Sequence, residues 1–127
     1  MTRVKRRSIL AALPMLCFIA ASAAAAETAP GVQREVNFLL DAIDGSGCSF
    51  FRNGTWYGAH EAQAHLRDKY DWLAARDVVD ATEQFIDRVA TQSSLSGRPY
   101  LVQCAGGPPL PSSQWLREKL EQFRRPP

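Results

Sequence analysis

The residues best suited to acid–base chemistry fall in one short stretch: His60, Glu61 and His65. A His-Glu pair followed by a second histidine is the outline of a zinc-protease helix, but the spacing does not suit it. Metal-binding histidines on one helical face stand four residues apart, whereas a gap of five turns these two about 140° away from each other. Glu61 and His65 do share a face at i, i+4. A carboxylate so placed can orient an imidazole, raise its pKa and make it a general base. The plainer alternative is a surface ion pair or a partly buried histidine. Arg52, beside Asn53-Gly54, is by type an anion contact, or else a solvated strand end. Ser93, Ser94 and Ser96 lie in one polar run, where hydroxyls ordinarily satisfy loop backbone groups and nearby helix ends. The chain has no Gly-x-Ser-x-Gly elbow, Gly-rich phosphate loop or Walker pattern. No metal, cofactor or complete catalytic constellation is expected from it.

The elements that must position these residues follow from hydrophobic spacing. Val32, Val36, Leu39, Leu40 and Ile43 recur as one face of a helix, which Asp44-Gly45-Ser46-Gly47 ends with chain-turning residues. Cys48 to Arg52 reads as a strand, Asn53-Gly54 as a type I′ turn, and Thr55-Trp56-Tyr57 as the returning strand. Gly58 to Arg76 is helical, with Ala62, Leu66 and Leu73 on one face and Tyr70 beside them. Asp80-Ala81-Thr82-Glu83 has the layout of a capping box, opening a helix that turns Phe85, Ile86 and Val89 inward. Thr91 to Gly97 is a polar loop, Pro99 to Cys104 a strand, and Gly106 to Pro111 a stiff loop. Ser112 or Ser113 then caps a last helix bearing Trp115, Leu116, Leu120 and Phe123. The expected fold is α+β: a small antiparallel sheet of two to three short strands, packed with about four helices and carrying one disulfide.

The first 26 of the 127 residues read as a cleavable export signal. Met1 to Arg7 is cationic, Ser8 to Ala21 is apolar, and Ala24-Ala25-Ala26 is a small-residue cleavage pattern. The apolar run is too short and too interrupted for a retained membrane span. Cys17 is read as part of that run, because Pro14-Met15-Leu16 does not fit a lipoprotein site. Arg6-Arg7 leaves both the general secretory and the twin-arginine route open. Residues 27–127 would then form a single domain, periplasmic or secreted.

Two cysteines, Cys48 and Cys104, remain beyond the leader, an even number that suits a disulfide in an oxidising compartment. A redox-active pair is the sharper alternative, without the C-x-x-C spacing that usually marks one. If the two strands are neighbours and the cysteines face each other, the strands must run antiparallel.

The net charge of +2 belongs to the leader, which holds Arg3, Lys5, Arg6 and Arg7; beyond it 11 basic residues face 13 acidic ones, a net of −2. No basic stripe is left for counterion-release binding, so a nucleic-acid partner is not expected. At 46% hydrophobic and 22% charged, the composition also excludes collagen-like, coiled-coil and low-complexity readings.

Several linked segments carry a family resemblance. Phe50-Phe51-Arg52-Asn53-Gly54, Glu61-Ala62, His65-Leu66-Arg67-Asp68-Lys69, Glu83-Gln84-Phe85-Ile86 and Ser93-Ser94-Leu95-Ser96-Gly97-Arg98-Pro99-Tyr100 resemble the YfeK-like family of small exported bacterial proteins, a domain of unknown function. The resemblance runs from about Phe50 to Val102. It implies export and a single small domain, and no established activity, cofactor or substrate. Its polar positions are Arg52, Asn53, Glu61, His65, Arg67, Ser94 and Ser96. Such a cluster is either a binding site or a polar network that fastens helices to the sheet.

Two functions from different classes fit the residues. One is a non-catalytic envelope protein that binds an envelope partner or a small anionic ligand through Arg52, Asn53, His65, Arg67, Ser94 and Ser96. The other is a small periplasmic hydrolase with Glu61–His65 as base and Arg52 as oxyanion or phosphate contact.

Overall fold

The computed structural model describes residues 9–12 and 28–127. The export signal expected over 1–26, with Cys17 and the cleavage point after Ala26, lies outside the described residues apart from Ile9–Ala12. Helix α1 spans Pro30–Asp44, with proline at its first turn, where a missing N–H removes no helical hydrogen bond. Its Val36, Leu39, Leu40 and Ile43 are fully buried, and each such side chain contributes about 1.5–3 kcal/mol by leaving water. Strands β1 (Ser49–Arg52) and β2 (Thr55–Tyr57) form the expected hairpin. Asn53 and Gly54 both have positive φ, 50° and 85°, as a type I′ turn demands. Then come α2 (Ala59–Ala74), α3 (Thr82–Val89), β3 (Leu101–Gln103), β4 (Leu110–Pro111) and α4 (Ser112–Arg124).

The four strands pair antiparallel in the order β2-β1-β3-β4. Side chains alternate across a strand, so register decides what faces inward. Tyr57, Phe50, Val102 and Leu110 stand abreast on the inner face, Trp56, Phe51, Leu101 and Pro111 on the outer. Helix α2 packs on β1, and α4 on β3 and β4, while α1 touches all three other helices. Phe50 meets Trp115 of α4 edge-on with ring centroids 6.0 Å apart, and Tyr70 of α2 meets Phe85 of α3 in the same manner at 5.6 Å. At the far end of α4, Arg124 bonds to Glu35 and Glu83, tying that helix to α1 and α3.

Cys48 and Cys104 form the expected disulfide, with Cα atoms 4.3 Å apart. The antiparallel pairing inferred from that bond is also found: Ser49 lies opposite Gln103, which sets the two cysteines opposite each other one step further along.

Three local expectations are corrected. The stretch read as a stiff loop ends in a fourth strand, β4, whose two residues are too few to leave an alternating pattern. No capping box forms at Asp80. Ala81 occupies the cap, and Gln84 rather than Glu83 reaches back, its Oε1 accepting from the Asp80 N–H at 2.6 Å. Neither Ser112 nor Ser113 caps α4, because Pro111 holds that position. The Ser112 N–H donates instead to the Tyr100 carbonyl at 2.9 Å, so β4 runs into α4 without a break.

The bridge closes a sequence separation of 56 residues, for which the chain-entropy model gives about 4 kcal/mol. The Cys48→Ala, Cys104→Ala variant should therefore lose about that much stability in urea unfolding, with the same native fold by amide spectra. A loss below about 1 kcal/mol would show that the helices and sheet hold this register unaided.

Candidate functional site

Arg52 ends β1 two residues after Phe50 and so lies on the inner face, where the continuing register sets it beside Tyr100. Its guanidinium reaches across to α2. Nη1 lies 2.7 Å from Nδ1 of His65 and 3.1 Å from Nε2 of the same ring, and the guanidinium carbon sits 4.9 Å from the Tyr57 ring centroid. An arginine has only donors, so the ring nitrogen it meets must be an acceptor. The shorter contact assigns Nδ1 as that acceptor, which puts the proton on Nε2, 3.3 Å from the Tyr100 hydroxyl. One helical turn on, Lys69 donates to the Gln92 carbonyl at 2.9 Å and stands 5.3 Å from the Tyr100 ring centroid.

These groups titrate as their surroundings dictate. Burial holds the His65 pKa below the ordinary histidine value, and the charges of Arg52 and Lys69 add to it against a smaller opposing effect of Asp68. Burial also lowers Lys69. It raises Tyr100, with Arg52 opposing. His65 is therefore neutral at pH 7 and accepts from Arg52, which is how an arginine is held here without a carboxylate.

Between α2 and the sheet the same residues line a cavity of about 40 Å³, room for a few small atoms or waters rather than for a drug-sized molecule. Phe50, Ala62 and Leu66 supply apolar wall, and Arg52, His65, Tyr100 and Ser112 supply polar atoms. The Ser112 hydroxyl is buried and has no hydrogen-bond partner among the described residues. Glu61 also lines the cavity, from an exposed position on the first turn of α2.

The other residues singled out by sequence are distributed differently. Glu61 forms neither hydrogen bond nor ion pair with His65, whose ring is engaged by Arg52 and Tyr100. Asn53 fastens the β1–β2 turn to the serine loop: its Nδ2 donates to Ser93 Oγ at 3.1 Å and its Oδ1 accepts from Ser96 Oγ at 2.5 Å. Ser93 Oγ further accepts the N–H groups of Leu95 and Ser96. Ser94 is exposed and makes no side-chain hydrogen bond among the described residues. Arg67 leaves the cluster altogether and donates to Asn37 Oδ1 on α1 at 3.3 Å. His60 pairs with Asp44 at 3.0 Å. Among the described residues no three His, Cys, Asp or Glu side chains are placed to hold a metal ion, and no helix is long and apolar enough to cross a membrane.

Tyr100 and Ser112 are site residues that the sequence analysis does not place at the site. The signal for Tyr100 was available: two facing cysteines at 48 and 104 set position 52 opposite position 100. Ser112 has no such signal, because it joins the cavity through β4.

Asn53→Ala should destabilise more than Asn53→Gly in thermal or urea unfolding. Both lose two hydrogen bonds, worth about 1–2 kcal/mol together, and alanine adds the strain of a left-handed backbone. Equal effects of the two would show that the turn tolerates positive φ at no cost.

His65 yields a pH prediction. Its pKa is lower in the folded chain than in the unfolded one, so the unfolded state takes up more protons as pH falls through the ordinary histidine range near about 6.5. The stability tied to this ring is complete above that range and declines below it. Arg52→Gln should raise the His65 pKa, followed by its ring protons in NMR. It should not restore the ordinary value, since burial is the larger cause. An unchanged pKa would mean that Arg52 does not face the ring in solution.

Residues 30–124 match the model of a family described as a family of unknown function (DUF5329). Over 69 residues the chain is 39% identical to the uncharacterized protein YfeK of Salmonella typhimurium (strain LT2); that match covers 54% of this chain and 56% of the relative. No solved structure matches.

Proposed function

We propose that this chain, which belongs to the DUF5329 family of unknown function, is exported and works in the bacterial envelope as a non-catalytic binding module, through the face around Arg52 and His65. Support for export comes from the leader pattern of residues 1–26 and from the Cys48–Cys104 disulfide, a bond that persists in oxidising compartments. The observation that carries the binding reading is Arg52. Its guanidinium stands beside a small cavity, held by a neutral ring and an aromatic face, with no carboxylate of the described residues bonded to it. A structural arginine is normally paired with a carboxylate or spread over backbone carbonyls.

A hydrolase built on Glu61 and His65 has less behind it. The carboxylate meant to orient the ring is not bonded to it, and the ring nitrogen that would take a proton already accepts from Arg52. Asn53 and Ser96 belong to the fastening of the serine loop, and Arg67 to the α1–α2 contact. The binding face thus contracts to Arg52, His65 and the cavity they line.

Fractionation of cells producing the full chain should recover it from the envelope with Glu27 as first residue. Immobilised on a column, the oxidised protein should retain a discrete component of envelope extract, and Arg52→Gln, shown to be folded, should not. Retention unaffected by Arg52→Gln would contradict the site. Hydrolysis of ester or cell-wall substrates lost in His65→Gln would contradict the non-catalytic reading.

A further inference from the structure

The cavity between α2 and the sheet has a mostly apolar wall, into which a few hydrogen-bond donors are set that lack acceptors among the described residues. Among the described residues, Nε and Nη2 of Arg52 have no protein hydrogen-bond partner, since its bond runs from Nη1 to Nδ1 of His65. The Tyr100 oxygen receives the Nε2 proton of His65 and keeps its own O–H to donate. The Ser112 hydroxyl, in a residue only 4% exposed, has no partner. The neutral His65 ring would have been an acceptor, but Arg52 has consumed it. Ser112 is also the first residue of α4, whose cap is Pro111 with no side-chain bond to the first-turn amides. That end of a helix favours negative charge.

We infer that this cavity takes a carboxylate group carried on a short apolar chain, with Arg52, Tyr100 and Ser112 as its donors. The inference rests on the binding-module reading and adds the ligand's chemistry. Two oxygens of a carboxylate accept about four hydrogen bonds, and the free N–H and O–H groups of these three side chains are enough to supply them. Much of the remaining wall is apolar, with Phe50, Ala62 and Leu66 in it, and a short alkyl group is at home against it. A phosphate dianion would press further oxygens onto that apolar wall, where unpaired polar atoms are costly. At about 40 Å³ the space admits a carboxylate and little more, so the remainder of the ligand projects past Glu61 at the mouth. The carboxylate belongs either to a small free acid or to the C-terminus of a polypeptide. Glu61 opposes an incoming anion from its exposed position, so neutralising it strengthens binding.

The purified, disulfide-bonded protein is titrated with butyrate, butanol, inorganic phosphate, and one short apolar peptide with a free or an amidated C-terminus. Side-chain signals of Arg52 and Tyr100 are followed by NMR. Butyrate should bind saturably with Kd on the order of 1 mM or tighter, butanol not at all, and phosphate at least tenfold more weakly. Ser112→Ala should weaken butyrate about tenfold or more, the effect of one hydrogen bond to a charged group. It should leave the melting temperature unchanged or higher, because it removes a buried hydroxyl without a partner. Glu61→Gln should tighten binding. Preference for the free-terminus peptide over butyrate assigns the carboxylate to a polypeptide end, and the reverse assigns it to a small acid. Equal binding of butyrate and butanol, or a preference for phosphate, overturns the inference. So does a Ser112→Ala variant that loses stability and keeps its affinity. If no probe binds while envelope extract still yields a component dependent on Arg52, the carboxylate assignment falls and the binding module stands. If both fail, both readings fall.

Discussion

The covalent link between Cys48 and Cys104 joins β1 to β3 at one end of their shared ladder and stabilises the register of the whole pairing. Because an antiparallel ladder advances one residue on each strand, facing cysteines at 48 and 104 imply facing residues at 52 and 100. A slip of one residue would turn Arg52 and Phe50 together to the outer face and bring Phe51 inward. The separation of 56 residues enclosed by the bond includes the β1–β2 hairpin, α2, α3 and the serine loop. Every wall of the cavity except Ser112 therefore lies between the two cysteines.

With the register held, the remaining geometry follows from where polar groups find partners. Asn53 lashes the hairpin turn to the serine loop, and Lys69 ties α2 to the segment before β3. These contacts anchor the elements around Arg52 without neutralising it. An arginine removed partly from water normally gains its compensation from an anion. Here the compensation is a neutral imidazole and the face of Tyr57, both weaker partners than a carboxylate. The arrangement sacrifices some stability and keeps a cation and two hydroxyls available, a conflict between local and global satisfaction that folded proteins concentrate at sites of function.

Much of this was legible in the chain itself, and the parts that were not share a cause. The face of α1, the Asn53-Gly54 turn and the disulfide are signalled by residues close in sequence or by the scarcity of cysteine. The capping of α3 was misplaced by one residue because Gln84 competes with Glu83 for the same backbone donor, and spacing alone does not rank them. Leu110-Pro111 is too short to alternate, so β4 went unseen, and with it the route by which Ser112 enters the cavity. Ser94 and Ser96 looked equivalent by type. The loop's fold divides them, bonding Ser96 to Asn53 over 43 residues and leaving Ser94 outward. Glu61 and His65 do share one helical face, but Arg52 arrives from another element and takes the ring first. Long-range partners decide these outcomes, and a single chain records them only where a constraint such as the disulfide ties distant positions together.

The binding reading depends on His65 being a neutral acceptor for Arg52, since the ring is then taken up and the free donors of Arg52, Tyr100 and Ser112 are left for a ligand. The most direct test is the protonation of the His65 ring at pH 7, read from long-range proton–nitrogen correlations of the folded, oxidised protein. A neutral ring with the proton on Nε2 and an unprotonated Nδ1 is expected. A protonated imidazolium, or a neutral ring with its proton on Nδ1, would mean that Arg52 is held in some other way, and the cavity would have to be abandoned as a site for an anion.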